Sequence, residues 1–251
     1  MFEKREVAHL VFAVLLVAYL IAFSKFTFLN FLLALLFAFL IVVPHVISHK
    51  MAARYYRSEA KFKLLEWKRY WLMEDSEFKH PFPIWLVLPV IAAFVTLGKL
   101  KLFMIETFDL SWKTERRIGS WFYEMQEREI AIIALAGPIT NLFLAFIAGA
   151  VFSVTGVVPV KDFAIFNAWF AFFSLLPIGN LDGTKVLFGG KIRWLFFFAF
   201  TIAFLALLYI VNVYITFILA LMFAMLLALW FLTTETPKRT ARIPPGIMSG
   251  K

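Results

Sequence analysis

The chain has 251 residues, of which 63% are hydrophobic and 32 are phenylalanine, and it carries a formal net charge of +9. This composition excludes a water-soluble domain of this size and predicts an all-α polytopic membrane protein. Cysteine is absent, which excludes disulfides and thiolate ligands, so a bound metal would need nitrogen and oxygen donors.

Apolar runs predict about six transmembrane helices, because each is long enough to cross the roughly 30 Å hydrocarbon core of a bilayer. The runs are 7–23, 28–48, 130–154, 162–177 and 194–232, the last long enough for two crossings with Asn212 near the hairpin. A seventh run, 83–104, is interrupted by proline, glycine and two lysines, which favours a re-entrant or interfacial element. We therefore expect one integral-membrane domain over 1–235, with a membrane-associated β or re-entrant region between helices 2 and 3.

The basic residues predict that both ends of the chain are cytoplasmic, at the cell membrane. With six crossings, Lys25 and Lys161 are the only basic residues outside, as expected when positive charge concentrates on the cytoplasmic side. Residues 236–251 then form a short basic cytoplasmic tail. The positive charge is explained by orientation and by contact with the lipid bilayer, so nucleic acid is not expected as a partner.

The segment PHVISHK, 44–50, places His45 and His49 four positions apart near the end of the second run. On a helix such side chains lie one above the other, so both imidazoles can face one metal ion. Two histidines at a helix end near the headgroups, without a metal, are the alternative. Their predicted depth, just inside the cytoplasmic edge of the hydrocarbon, favours a function because ionisable groups are costly there.

A third candidate ligand lies in SLLPIGNLDGTK, 174–185, where proline and glycines surround Asp182. Such helix breakers open the backbone at membrane depth, which is tolerated where the backbone lines a polar cavity or is buried in protein. Asp182 could complete a metal site with the two histidines. An aspartate that caps an Asp-Gly turn is the alternative.

The segment LAGPITN, 135–141, lies inside the third predicted crossing. Gly137 and Pro138 permit close helix packing, and Asn141 is an amide that needs a hydrogen-bonding partner. Helix packing alone would account for this segment.

In order, spacing and membrane placement, these three segments resemble the site-2 protease family of intramembrane zinc metalloproteases (peptidase M50-like). That family carries H-E-x-x-H, then A-G-P-x-x-N, then N-x-x-P-x-P-x-L-D-G, and the resemblance covers about 28–190. It implies that zinc is bound by His45, His49 and Asp182, with water as the fourth ligand. It also implies that Asn141 is a supporting polar contact and that the partner is a transmembrane protein substrate or client.

The resemblance further implies an edge strand over 59–65 that pairs with an unwound substrate segment. The sequence EAKFKLL does alternate, with Ala60, Phe62 and Leu64 on one side. A solvated strand with no such role is the alternative.

The sequence differs from the family pattern at positions that have a chemical role in the family. Val46 stands where the family has its general-base glutamate, and valine cannot transfer a proton. Losing a positioned base typically lowers the rate by about 10²–10⁴, and the nearest downstream carboxylate on the same stretch is Glu59. Ser174 stands at the position of the family asparagine, where a hydroxyl could serve in part, and Gly179 replaces a proline.

Three functions therefore remain open. The first is a pseudoprotease that keeps zinc and binds transmembrane segments, with proteolysis impaired at Val46. The second is an active metalloendopeptidase whose sequence here carries an inactivating Glu-to-Val change. The third is a metal-free membrane scaffold or transporter.

Overall fold

The computed structural model describes residues 3–69, 77–112 and 125–235. These residues form eight α-helices, a short 3₁₀ helix at Phe23–Lys25 and four β-strands. The α-helices are α1 (Lys4–Ala22), α2 (Phe28–Tyr55), α3 (Ile84–Val95), α4 (Glu127–Thr155), α5 (Val158–Ser174), α6 (Asp182–Gly189), α7 (Lys191–Leu208) and α8 (Val213–Glu235). The strands are β1 (Ser58–Leu64), β2 (Trp67–Arg69), β3 (Glu77–Phe82) and β4 (Glu106–Trp112).

Five helices in the described part of the chain are long and apolar enough to cross a membrane, namely α1, α2, α4, α7 and α8. They coincide with the predicted runs, and the longest run divides between α7 and α8, where Asn212 Oδ1 accepts a hydrogen bond from the Tyr214 N–H at 3.0 Å. These helices indicate an integral membrane protein. The orientation of its ends stays a prediction, and the predicted tail 236–251 lies outside the described residues.

The sixth predicted crossing and the seventh run are shorter helices. Helix α5 has 17 residues, about 25 Å at the usual rise per residue, so the count of six crossings stays a prediction. Helix α3 has 12 residues, about 18 Å, which is too short to cross a bilayer in one straight pass. A re-entrant or interfacial position for α3 therefore remains our expectation.

Local signals in the sequence explain where the two central helices begin and end. Thr27 precedes α2, and its Oγ1 accepts a hydrogen bond from the Asn30 N–H at 3.3 Å. Helix α2 continues through Pro44 without a break, so the two histidines lie near its end. Helix α4 begins at a capping box between Gln126 and Glu129. It ends at Gly156, whose left-handed φ of +68° suits a glycine.

Helix α4 is the centre of the packing, because it contacts α2, α5, α6 and α8. Helix α1 packs against α2, and α7 packs against α8. The outer faces carry many exposed large apolar side chains, such as Phe28, Phe143 and Leu226. In a helix bundle of this composition those faces are suited to lipid. The polar groups considered below are instead buried between α2, α4 and α6.

A two-stranded antiparallel sheet covers the end of α2 where the histidines lie. In this sheet β1 pairs with β4, so that Phe62 lies opposite Phe108 and Leu64 opposite Glu106. Paired residues share one face of a sheet, and Ala60, Phe62, Leu64, Glu106 and Phe108 are all buried. The predicted strand 59–65 is thus present as β1, with its apolar side turned inward.

Glu6 connects the start of α1 to the end of α2 and to strand β1. Its Oε1 accepts hydrogen bonds from Lys50 Nζ at 2.7 Å and from the Phe62 N–H at 2.9 Å. Both charged side chains are buried. The edge of β1 that faces away from β4 is therefore already bonded to Glu6 at Phe62, which leaves less of this edge for a substrate strand than the sequence suggested.

Replacing Glu6 with alanine should destabilise the fold, because breaking a buried ion pair costs about 3–5 kcal/mol. Thermal unfolding of the purified protein in detergent measures the effect. Lys61→Ala is the control, since it removes the exposed Lys61 to Glu3 pair and should change stability little. Equal losses in the two variants would contradict the role given to Glu6.

Candidate metal centre

Three side chains from two helices converge at one buried point. His45 and His49 project from the end of α2, and Asp182 is the first residue of α6. One ligand atom from each lies within 4.8 Å of the others. The Nε2 atoms of the histidines are 2.9 Å apart. Asp182 Oδ2 lies 3.1 Å from His49 Nε2 and 3.4 Å from His45 Nε2.

Hydrogen bonds at the far side of each ring fix where its proton sits. His45 Nδ1 lies 2.8 Å from Asn141 Oδ1, and His49 Nδ1 lies 2.7 Å from the carbonyl oxygen of Ile133. A carbonyl oxygen only accepts, so each Nδ1 is the donor and carries the proton. In the neutral tautomer both Nε2 atoms then present lone pairs to each other, which is the form that binds a metal.

A chain of amides determines the orientation of Asn141. Its Nδ2 donates to the carbonyl oxygen of Ile41 and to Asn167 Oδ1, each at 3.3 Å. Asn167 Nδ2 in turn donates to the carbonyl oxygen of Phe163 at 2.9 Å. Since backbone carbonyls anchor both amides, Asn141 must turn its oxygen to His45. Asn141 thus contacts His45, and its supporting role stays a prediction. The sequence did not indicate Asn167.

The donor set and its spacing fit zinc. Zinc to nitrogen bonds of about 2.0–2.1 Å in a tetrahedral site place neighbouring donors about 3.3 Å apart. The three separations here are 2.9, 3.1 and 3.4 Å. Two neutral imidazoles and one carboxylate, with room for a further ligand, form the usual donor set of a catalytic zinc site.

Gly137 leaves the space in front of the histidines open. A Cβ atom built at this position on α4 would collide with Nε2 of both His45 and His49. Any other residue would therefore fill the point at which the three donors converge. The glycine of LAGPITN is thus required by the site as well as by helix packing.

Asp182 is held as a carboxylate by its neighbours. Burial raises the pKa of Asp182, but contacts with His49 and His45 when these rings carry a second proton, together with the charge of Lys185, oppose burial and hold the pKa well below its usual range. Lys185 lies on the next turn of α6, with Nζ 3.7 Å from Asp182 Oδ1 and 3.0 Å from Thr107 Oγ1. Burial in turn lowers the pKa of Lys185, although Asp182 raises it.

A pocket opens beside the histidines, between the end of α2 and the inner face of β1 and β4. Its lining includes Val46, His49, Ala60, Phe62, Glu106, Phe108 and Asp182. Val46 is 2% exposed and offers no proton-transfer group. Glu106 does offer one, because its Oε1 lies 2.9 Å from His45 Nε2.

Glu106 is absent from the residues predicted from sequence. The nearest carboxylate that follows the histidines along the chain is Glu59, which belongs to β1. Glu106 arrives from β4 and faces inward with Phe108. The signal that could have found it is an acidic residue on the apolar side of the alternating stretch ETFDLSW.

The remaining predicted residues lie around this site without joining the three donors. Ser174 is the last residue of α5 and is buried, but it is not part of the pocket lining. Gly179 lies in the loop before Asp182 with a φ of +57°, a conformation that suits glycine and excludes the family's proline. Ala60 and Phe62 line the pocket, whereas Leu64 is buried beside it.

Comparison with known proteins supports a metalloprotease-like relationship. The chain is 26% identical over 199 residues to a protein of Methanocaldococcus jannaschii named "Putative zinc metalloprotease". The match covers 77% of this chain and 88% of that protein. No family model matches the chain, and no solved structure gives a significant match.

Gly137→Ala should remove most of the metal that the purified protein retains, because the new Cβ occupies the point between the imidazoles. Zinc content by plasma mass spectrometry measures the loss. Gly149→Ala is the control on the same helix, where the new Cβ would meet Val213 Cγ2 at 2.7 Å, far from the histidines. Similar zinc contents in the two variants would refute the position given to Gly137.

Asn141→Ala should weaken zinc affinity by about 10–100-fold, the usual effect of losing a group that orients a ligating histidine. Competition with a chelator of known affinity measures the change. Asn141→Asp keeps an oxygen acceptor for His45 Nδ1 and should lose less. An unchanged affinity in Asn141→Ala would show that the amide does not set the His45 tautomer.

Proposed function

We propose that this chain is an intramembrane zinc metalloprotease homologue of the site-2 protease type, which acts on or binds transmembrane segments. The observation that carries the proposal is the convergence of two imidazole Nε2 atoms and one carboxylate oxygen at a buried point. Both imidazoles are fixed from behind by acceptors. The zinc metalloprotease-like relative supports the same chemistry.

His45, His49 and Asp182 would hold zinc, and zinc bound there supplies a Lewis acid that polarises water and a peptide carbonyl. Asn141 and the carbonyl of Ile133 keep the two imidazoles in their ligating orientation. The sheet of β1 and β4 lies over one side of the site and lines the pocket beside it. A peptide bond must reach the pocket, so a substrate helix would have to unwind locally.

The apolar part of the pocket lining suits a segment of a membrane protein. Ala60, Phe62 and Phe108 provide apolar contact area next to the three donors. Main-chain pairing with the sheet, as in β-augmentation, is the mode we expect for an unwound segment. Glu6 already occupies one edge position of β1 at Phe62, so main-chain pairing along β1 would use its other edge positions.

Val46 sets the main question for this function. A valine in place of the glutamate on α2 leaves that helix without a base, which favours binding over cleavage if α2 alone is considered. Zinc content and cleavage separate the three functions. A chain that binds without cutting and a chain inactivated at this position would both hold zinc, and a metal-free scaffold would not. Restoring the glutamate would restore cleavage in the inactivated chain.

Zinc analysis of the purified chain tests the proposal. We expect about one equivalent of zinc in the parent and its loss in His45→Ala, His49→Ala and Asp182→Ala. His80→Ala is the matched control, because His80 lies on β3 and is exposed. A parent without zinc, or zinc that survives all three substitutions, would sink the ligand assignment and favour a metal-free scaffold.

A further inference from the structure

We propose that Glu106 supplies the proton-transfer carboxylate that Val46 cannot provide, so that this chain retains a complete site for peptide hydrolysis. The inference rests on the proposed zinc site and concerns one residue from β4. It follows from the position, burial and contacts of Glu106.

Glu106 lies on the inner face of the sheet and next to His45, one of the three proposed zinc ligands. It is opposite Leu64 in the sheet and shares the inner face with Phe62 and Phe108. Its Oε1 is 2.9 Å from His45 Nε2, the ring nitrogen that faces the other donors. Val46 and Glu106 line the same pocket, so the carboxylate reaches the site from the sheet instead of from α2.

Glu106 is buried, and among the described residues it forms a close pair with His45. It is 6% exposed, and neither of its oxygens accepts a hydrogen bond from a described residue. A buried carboxylate without a hydrogen-bond donor is costly. Among the described residues its close polar partner is therefore His45, with Nε2 2.9 Å from Oε1, which directs the carboxylate at the three donors.

The backbone on both sides of Glu106 is held in place. The carbonyl oxygen of Ile105 accepts a hydrogen bond from the Leu65 N–H at 2.9 Å. Thr107 Oγ1 donates to the carbonyl oxygen of Asn180 at 2.6 Å and accepts from Lys185 Nζ. These bonds tie β4 to β1 and to the loop that leads into Asp182. A catalytic carboxylate needs such fixed placement.

Glu106 fits the role of a base better than that of a fourth metal ligand. The group whose donor atoms all lie within 4.8 Å of one another consists of His45, His49 and Asp182, and Glu106 is outside it. Three protein donors with an open position are typical of a catalytic zinc site, whereas four make a closed structural site. A carboxylate beside the open position can accept a proton from water there.

Glu106 alone can carry the proton that is transferred during peptide hydrolysis. A water molecule in the pocket gives one proton to the Glu106 carboxylate while its oxygen forms a bond to the peptide carbonyl carbon. The C–N bond then breaks, and the proton passes from Glu106 to the departing amine nitrogen. The carboxylate is restored, and one water molecule is consumed for each peptide bond cut.

Four versions of the full chain test the inference: the parent, Glu106→Gln, Val46→Glu and the double variant. Each is purified in detergent and assayed for zinc content and for cleavage of a panel of labelled single-span peptides whose apolar segment is interrupted by Asn-Pro. We expect Glu106→Gln to retain zinc and to lower kcat by about 10²–10⁴ with little change in KM. Val46→Glu in the Glu106→Gln background should restore much of the rate, because it returns a carboxylate to the pocket from α2.

The other outcomes separate this inference from the proposed function. Cleavage that is equal in the parent and in Glu106→Gln would overturn the role of Glu106 and leave the protease function standing. Cleavage by Val46→Glu but not by the parent would also overturn the role of Glu106, and it would support a chain inactivated at position 46. Loss of zinc in Glu106→Gln would make Glu106 a ligand and refute its role as a base. If neither the parent nor Val46→Glu cleaves any peptide, both hydrolysis and this inference are rejected. The zinc content of the same samples then tests the metal site independently.

Discussion

The close approach of four polar side chains at one buried point is the constraint on which the rest of the structure depends. His45, His49, Asp182 and Glu106 turn nitrogen and oxygen atoms toward one another at a buried point, and their lone pairs repel one another while both rings are neutral. The proton on each imidazole is held at the opposite ring nitrogen by an acceptor, so it cannot relieve this repulsion in the neutral rings. Buried donors arranged in this way are suited to a metal ion.

The rest of the fold can be understood as the means of holding these groups in position. Helix α4 packs against the histidines, with Gly137 next to their Nε2 atoms, and it supplies both Nδ1 acceptors, Asn141 and the carbonyl of Ile133. Helix α6 starts at Asp182, the carboxylate of the candidate metal site. The sheet of β1 and β4 closes the remaining side and brings Glu106 inward. The outer faces of the long helices are mostly apolar, whereas the interior around the three donors is polar and connected by hydrogen bonds.

The sequence predicted the parts of this arrangement that depend on local pattern. Apolar runs located the five long helices, and the spacing of four placed His45 and His49 on one face of α2. The alternation at 59–65 located β1. The sequence did not predict Glu106, because its position depends on how β4 pairs with β1, and that pairing joins segments more than forty residues apart. Asn167 escaped notice for a similar reason, since its partner Asn141 belongs to another helix.

Zinc K-edge X-ray absorption of the purified chain tests the central claim most directly. The site described here predicts a first shell of nitrogen and oxygen at about 2.0–2.1 Å, with the outer-shell scattering of two imidazoles and without sulfur. His49→Ala should reduce that scattering to one imidazole or abolish zinc binding. A zinc signal no greater than that of buffer, or an imidazole signal unchanged by His49→Ala, would contradict the proposed metal centre.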